Sequence, residues 1–224
     1  MIKFENTEVF NFEGAFRGMR NPLNSWDKSD SMYCYDRESC KDCIFKDKNC
    51  IEEAYVLGPN DIELAQKLIK AGPDHRKFMR QIFVCVDITA PLYRWKEFDT
   101  YKVGTVSNSC STMHKIHDKP ITPDDFSTDH LDGESLEILE DLCNALNVCR
   151  DLFLKTKDKK YWWQIIQLLP SSYNQRRTIT LTYENIRNIR GSRRYHKLDE
   201  WSVGFMEWID FLPYAEELIK YERL

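Results

Sequence analysis

The part of the sequence that decides the fold is residues 75–114, HRKFMRQIFVCVDITAPLYRWKEFDTYKVGTVSNSCSTMH. An apolar run from Ile82 to Ile88 lies inside this stretch and is long enough for one buried strand or one buried helical segment. After Ala90 and Pro91 the sequence changes to hydroxyl, amide and charged side chains with aromatic residues among them. This second half is compatible with a pocket for a polar small molecule and equally with a solvated loop between two helices.

The length and composition indicate one globular domain over residues 1–224, with a small insert at residues 32–52. A chain of 224 residues with 42% apolar residues can bury a core without disulfide bonds. The net charge of −4 argues against a general nucleic-acid coat, and no apolar run approaches the roughly 18 residues that a membrane span needs. The first residues, MIKFENTEVF, lack a cationic start followed by an apolar stretch, so we expect no secretory signal and a cytoplasmic location.

Four of the eight cysteines are clustered with the spacing C-x5-C-x2-C-x6-C, formed by Cys34, Cys40, Cys43 and Cys50. Four thiolates can surround one tetrahedral zinc ion, and a C-x2-C pair supplies two ligands from one tight turn. The cluster therefore suggests a zinc site, with an iron–sulfur cluster as a second metal interpretation. The alternative without metal is a polar surface insert with reduced thiols, because disulfides are rare in the cytoplasm.

Hydrophobic periodicity predicts helices and strands along most of the chain. The alternation in residues 7–12 indicates a short strand, and the helical spacing of apolar residues indicates helices at 60–71, 134–155 and 159–169. Residues 198–220 show the same helical spacing, broken near Pro213. Because strand and helix signals alternate, we expect an α/β or α+β fold and not a helical bundle.

A local excess of arginine sets residues 171–197 apart from the rest of this acidic chain. The planar guanidinium group holds a phosphate with two parallel hydrogen bonds, so clustered arginines are typical of phosphate-binding sites. The alternative is a basic, solvated helix face that pairs with acids elsewhere in the chain. Against one acid, Glu184, the basic residues are Arg176, Arg177, Arg187, Arg190, Arg193, Arg194 and Lys197.

Residues 101–111 resemble the signature of the flavin-dependent thymidylate synthases, which are also called thymidylate synthase-complementing proteins. That signature is R-H-R followed by seven residues and a serine, with an asparagine among the seven. Here Tyr101-Lys102-Val103 stands in place of R-H-R, Ser111 is the serine and Asn108 coincides with the asparagine. Both signature arginines are absent, so Lys102 alone keeps a charge in the triplet.

Segments on both sides extend the resemblance to about residues 60–200. Upstream, His75 and the run Ile82–Ile88 resemble a histidine-containing turn and a strand of the family. The Cys-rich insert is not a usual part of the family. Downstream, the family's Leu-Pro helix end, its N-x-R helix and a further arginine are matched by Leu169-Pro170, Asn185-Ile186-Arg187 and either Arg193 or Arg194.

The resemblance implies a mixed sheet flanked by helices, assembled as a homotetramer that binds FAD and a pyrimidine nucleotide such as dUMP. It implies methylation of the pyrimidine C5, with methylenetetrahydrofolate as carbon donor and NADPH as reductant of the flavin. Ser111 would polarise the pyrimidine, and it has no nucleophilic role because no neighbouring base is evident. The implied catalytic residues are Ser111, Arg193 and Arg194; the implied cofactor-binding residues are His75, Tyr101, Lys102, Asn108, Asn185 and Arg187; the implied substrate-binding residues are Ser109, Ser111, Arg187, Arg193 and Arg194.

Two other functions are compatible with the same residues. The altered triplet Tyr101-Lys102-Val103 fits a nucleotide-binding relative that has lost the flavin reaction and acts as a sensor, a sequestering protein or a subunit of an assembly. The four clustered cysteines and the arginines of residues 176–194 fit a small zinc-bearing nucleic-acid-binding module. The acidic net charge weighs against this last hypothesis.

Overall fold

A computed structural model describes residues 2–34 and 55–222, in which helices flank a four-stranded sheet. The expected α/β fold class is therefore confirmed. The single domain over residues 1–224 stays a prediction, and most of the predicted insert at 32–52 lies outside the described residues. The described residues divide into two compact units, the first formed by residues 2–8, 85–181 and 189–208 and the second by residues 9–34, 55–84, 182–188 and 209–222.

The four-stranded sheet carries the apolar run that the sequence singled out. Of the two alternatives for Ile82–Ile88, a buried strand or a buried helical segment, the structure shows the strand. It runs from Phe83 to Pro91, since a proline at the last strand position removes no hydrogen bond from the strand interior. The strands are β1 (Lys3–Phe10), β2 (Met32–Tyr33), β3 (Tyr55–Val56), β4 (Phe83–Pro91), β5 (Val106–Ser109) and β6 (Asn174–Thr182). The larger sheet has the order β1-β4-β6-β5 with β5 antiparallel to β6, and β2 and β3 form an antiparallel pair.

The helices predicted at 60–71, 134–155 and 159–169 are present as α2, α5 and α6. The α-helices are α1 (Phe12–Arg20), α2 (Pro59–Ala71), α3 (Leu92–Phe98), α4 (Thr112–Lys115), α5 (Gly133–Thr156), α6 (Lys159–Leu168), α7 (Tyr183–Arg193) and α8 (Met206–Asp210). Two π-helices, Glu200–Phe205 and Ala215–Ile219, lie on either side of the predicted break near Pro213. Within residues 2–34 and 55–222, no helix is both long enough and apolar enough to cross a membrane.

Helices α5 and α6 form a hairpin that encloses one core of the first unit. Asp132 caps the start of α5, because its carboxylate accepts a hydrogen bond from the Ser135 backbone N–H. Cys143 is buried, whereas Cys149 and Cys85 are only partly buried. The buried residues of this core are Ile116, Ile121, Phe126, Leu139, Cys143, Leu146 and Ile165.

The second unit contains a buried ion pair between α1 and α2. Arg20 Nε lies 2.6 Å from Asp61 Oδ1, and both side chains are almost fully excluded from water. Asp61 also accepts hydrogen bonds from the hydroxyls of Ser29 and Ser31. Although burial alone would raise the pKa of Asp61, the bonds from Ser29, Ser31 and Arg20 bring it below its ordinary value. The carboxylate therefore joins both helices to the loop that follows α1.

We expect Asp61→Asn to lower the free energy of unfolding by about 3–5 kcal/mol, because it leaves Arg20 buried without a counterion. Urea denaturation at neutral pH measures this loss, and Glu63→Gln on the exposed side of α2 is the control. The contribution of Asp61 is present above an unfolded-state pKa of about 3.9 and is lost as the pH falls below it. If Asp61→Asn lowered the free energy of unfolding no more than Glu63→Gln does, the pair would not be important for stability.

Candidate functional site

Arg193, a predicted phosphate-binding residue at the end of α7, is held by hydrogen bonds and by aromatic rings. Its Nε donates to the Tyr101 hydroxyl at 2.9 Å, and its Nη1 donates to Glu97 Oε2 at 3.1 Å. The guanidinium also lies over the rings of Tyr101 and Trp201, at 5.6 and 5.3 Å from their centroids. Nη2 makes no hydrogen bond to a described residue, so this nitrogen can donate to an anionic ligand.

Glu97, near the end of α3, is the shared hydrogen-bond acceptor beside Arg193. Its Oε2 accepts a 2.7 Å hydrogen bond from the Trp201 indole N–H and lies 3.5 Å from His196 Nε2. The carboxylate thus faces a guanidinium, an indole and an imidazole from a part of the chain about a hundred residues away. We infer that Glu97 fixes the orientation of Arg193, because a fork of donors on one carboxylate allows few alternative arrangements.

Arg177 lies on β6 beside another aromatic residue, Trp95 of α3. Its Nη1 donates to Asp99 at 2.7 Å, and its guanidinium carbon lies 4.3 Å from the centroid of Trp95. In the β5–β6 pairing, Arg177 stands opposite Ser109. This register places a predicted substrate-binding serine next to a second arginine.

The remaining signature residues lie on β5 and at the start of α4. Asn108 and Ser109 are exposed on β5, and Lys102 is exposed in the preceding loop. Ser111 caps α4, since its hydroxyl accepts a 2.9 Å hydrogen bond from the His114 backbone N–H. The described contacts join Tyr101 to Arg193, and they do not join either residue to Ser111 or Asn108. The structure thus brings together only part of the predicted set.

Three arginines of the basic stretch pair with acids from other segments. Arg176 Nη2 lies 2.7 Å from Asp87 on β4, while Arg177 and Arg193 pair with Asp99 and Glu97. Hydrogen bonds from Thr178, Asn6 and Arg176 lower the pKa of Asp87 well below its ordinary value. These three arginines thus pair with acids elsewhere in the chain, which is one part of the alternative given above, but Arg176 and Arg177 lie on a strand and not on a helix face.

A cationic cavity of about 260 Å³ lies in the second unit and contains Arg187, a predicted ligand-binding residue. It is lined by Lys70, Arg76 and Arg187 with Ile69, Ala71 and Gly72. Arg187 donates to the carbonyls of Leu218 and Ile219, and Arg76 donates to Glu184 at 2.8 Å. The lining of this cavity is therefore cationic, with Arg76 paired to Glu184, and a cationic lining favours an anionic group.

His75 and Asn185 lie elsewhere in the second unit. His75 lines a separate cavity of about 390 Å³ together with Asp74, Lys77 and apolar residues. Asn185 accepts hydrogen bonds from the backbone N–H and the hydroxyl of Thr182 at the start of α7. The side-chain oxygen of Asn185 therefore stabilises a helix end, a role that the sequence did not indicate.

Three of the four predicted zinc ligands lie outside the residues that the structure describes. Cys40, Cys43 and Cys50 lie outside the described residues, and Cys34 is partly buried at the edge of that gap. Within the described part of the chain, no group of three or more His, Cys, Asp or Glu residues could hold a metal ion. The zinc site stays a prediction.

Sequence reasoning missed several residues that complete these sites. Glu97 was one of many polar residues in its stretch, and Arg94, Trp201 and His196 had no role assigned. A charged residue among aromatic residues in the segment YRWKEF, residues 93–98, was the signal for Arg94. No local signal existed for Trp201, because its partner Glu97 is 104 residues away in the chain.

We expect Glu97→Gln to lower the free energy of unfolding by about 1–2 kcal/mol, because Arg193 and Trp201 lose a charged acceptor. Glu97 is one-third exposed, which keeps the loss below that of a fully buried charge. Urea denaturation of this variant beside Glu137→Gln, an exposed residue of α5, measures the difference. Equal midpoints for the two variants would show that Glu97 does not organise the cluster.

Of the comparisons with known proteins, the one with solved structures identifies the fold. No protein-family model matches the sequence, and none of the curated proteins compared with it is similar. Two solved structures of the flavin-dependent thymidylate synthase X from Helicobacter pylori, each with FAD and dUMP, are similar in three dimensions. One is 15% identical and covers 98% of both chains with a TM-score of 0.65. The other is 14% identical and covers 97% of this chain and 98% of the other, with a TM-score of 0.66.

The likeness extends over nearly the whole chain, so it includes the stretch from which the sequence resemblance was drawn. At this low identity it bears on the path of the backbone and not on the chemistry of individual side chains. The expected architecture is thereby confirmed: this chain has the fold of thymidylate synthase X.

Proposed function

We propose that this chain is an FAD-dependent, thymidylate synthase-like enzyme that methylates C5 of a pyrimidine deoxynucleotide monophosphate such as dUMP. Methylenetetrahydrofolate is the carbon donor and NADPH is the reductant in this proposal. The observation that carries it is the full-length similarity to two structures solved with FAD and dUMP. A homotetramer in the cytoplasm is the assembly and location that the family resemblance implies.

The nucleotide phosphate is assigned to Arg193 and Arg194. Arg193 is held by Glu97 and Tyr101 on one side, which leaves Nη2 to donate to a phosphate oxygen. Arg194 lies next to it in the chain with its guanidinium over the Tyr195 ring, at 5.0 Å from the centroid. Arginine suits a phosphate because its planar guanidinium group can donate two parallel hydrogen bonds to the phosphate oxygens.

The diphosphate of FAD is assigned to the cationic cavity of the second unit. Lys70, Arg76 and Arg187 supply the positive charge that a diphosphate requires, and the cavity is large enough for such a group. His75 and Asn185 are the further cofactor-binding residues implied by the family resemblance. When bound, the flavin supplies the hydride chemistry, and the residues of this chain bind and orient the reactants.

The altered triplet is the main departure from the family signature, and the contacts of Tyr101 suggest how it is accommodated. The Tyr101 hydroxyl and ring both contact Arg193, so this residue supports the phosphate-binding arginine. Lys102 is exposed and keeps one positive charge in the same loop. Ser111 polarises the pyrimidine, with Asn108 and Ser109 on the neighbouring strand as further polar contacts.

A substitution of Lys70 tests the assignment of FAD. We expect Lys70→Gln to weaken FAD binding by about threefold to tenfold, because a cation at the diphosphate is lost. The measurement is a titration with FAD that follows the visible flavin absorbance comigrating with the protein. Lys67→Gln, on the same helix α2 and paired with Glu63, is the matched control. Equal affinities of the two variants would contradict the assignment.

Substitutions of the paired arginines test the assignment of the nucleotide. We expect Arg193→Ala and Arg194→Ala each to weaken dUMP binding at least about tenfold in calorimetry, while FAD binding is retained. Arg17→Ala, an exposed arginine of α1 paired with Glu13, is the control. Unchanged dUMP affinity in both variants would remove these residues from the site.

A non-catalytic nucleotide-binding relative is the second candidate. The observation that favours it is Tyr101-Lys102-Val103 in place of R-H-R, because Tyr101 is already engaged by Arg193. This candidate binds dUMP but forms no thymidine nucleotide when FAD, NADPH and methylenetetrahydrofolate are all present. Product formation in that assay would exclude it. The zinc-bearing nucleic-acid module has less support, because Arg176, Arg177 and Arg193 are paired with carboxylates.

A further inference from the structure

Alternating guanidinium groups and aromatic rings form a continuous stack in the first unit, which we name the cation–π ladder. Arg94 lies at its centre, 4.9 Å from the centroid of Trp95 and 4.0 Å from that of Trp201. Arg177 covers Trp95 at 4.3 Å, and Arg193 covers Trp201 at 5.3 Å. In order, its members are Arg177, Trp95, Arg94, Trp201, Arg193 and Tyr101.

Arg94 is the unusual member of the ladder because it is completely buried without hydrogen bonds. Its relative exposure is 0%, and none of its three guanidinium nitrogens bonds to a described residue. Besides Trp95 and Trp201, the rings of Phe98 and Phe205 lie at 4.9 and 5.9 Å from its guanidinium carbon. A charge in such surroundings is normally paired or bonded.

Stability does not explain why an arginine occupies this position. Cation–π contacts offset part of the cost of removing the charge from water, but an apolar side chain of similar volume would fill the space without that cost. Burial, followed by the nearby charge of Arg177, lowers the pKa of Arg94 to about 9, while Glu200 and Glu97 act in the opposite direction. The guanidinium therefore still carries its charge at neutral pH.

The neighbours of Arg94 connect it to the proposed phosphate-binding group. Arg94 packs on one ring, Trp201, that also carries Arg193. The indole N–H of Trp201 donates to Glu97, which in turn accepts from Arg193. Arg94 and Glu97 are three residues apart on α3, so they are neighbours on the helix surface. A shift of Trp201 would therefore change its own contact with Arg193 and would also disturb Glu97, the carboxylate that accepts from Arg193.

We propose that Arg94 is a positioning residue that holds Arg193, through Trp201 and Glu97, in the orientation that receives the phosphate of a nucleotide. The inference rests on the proposed function, since it takes Arg193 as the phosphate-binding residue. Arg94 itself does not touch the ligand, because its guanidinium is enclosed by four aromatic rings. Its role is to place a charged, planar group against the ring of Trp201.

Two substitutions of Arg94 separate positioning from packing. Arg94→Met keeps most of the volume and removes the charge, whereas Arg94→Lys keeps the charge and removes the planar contact. Binding of dUMP and of deoxyuridine is measured by calorimetry, and thermal unfolding is recorded for each variant. We expect Arg94→Met to unfold at the wild-type temperature or above it, to bind dUMP about tenfold more weakly and to bind deoxyuridine unchanged. Arg94→Lys should recover part of the dUMP affinity.

Three outcomes would overturn the inference. One is dUMP affinity within about twofold of wild type in a folded Arg94→Met, or in a folded Arg94→Lys if the methionine variant unfolds. Another is an equal loss of dUMP and deoxyuridine binding, which indicates a general disturbance. The third is unfolding of both variants, which makes Arg94 a purely structural residue.

Exchange of the Trp201 indole proton distinguishes failure of this inference from failure of the proposed function. If the wild-type chain does not bind dUMP, the proposed function fails, but the Trp201–Glu97 bond can still be followed by NMR. Its resonance is identified by its loss in Trp201→Phe. Faster exchange of this proton in Arg94→Met than in Arg17→Met supports the positioning role, and unchanged exchange contradicts it.

Discussion

The carboxylate of Glu97 is the constraint on which the first unit depends. It must satisfy the indole N–H of Trp201 and the guanidinium of Arg193 with one oxygen, which fixes both groups relative to α3. Once Trp201 is fixed, its ring contacts both Arg193 and the buried Arg94. The ladder of rings and cations thus follows from one hydrogen-bonded acceptor, because aromatic contacts by themselves are weakly directional.

Pairing with carboxylates from distant segments also determines how much positive charge the basic stretch at residues 171–197 presents to a ligand. Arg176, Arg177 and Arg193 pair with carboxylates from other segments, so part of the positive charge of the stretch is compensated within the fold. What is left for a ligand is a set of particular nitrogens and not a broad basic surface. A few nitrogens of this kind suit a small anion, whereas binding to a nucleic acid would require many uncompensated cations.

The second unit uses a buried charge in a different way. Asp61 is surrounded by Arg20 and two serine hydroxyls, so its charge is fully compensated and it stabilises the fold. Arg94 is enclosed by rings and lacks such compensation within the described residues. Two buried charges in one chain therefore have opposite energetic meanings, and only the uncompensated one requires a functional explanation.

The sequence by itself determined the fold class and the helices α2, α5 and α6, because apolar residues recur with the helical period. It also located β4 as a continuous apolar run, without deciding between a strand and a helical segment. It also identified Tyr101 and Arg193 as candidate site residues through the order and spacing of a family signature. Only the tertiary structure decided that these two residues touch, that Arg94 is buried between tryptophans, and that three arginines are paired with acids. The physical reason is distance along the chain: Glu97 and Trp201 are 104 residues apart, so no local pattern of periodicity records their hydrogen bond.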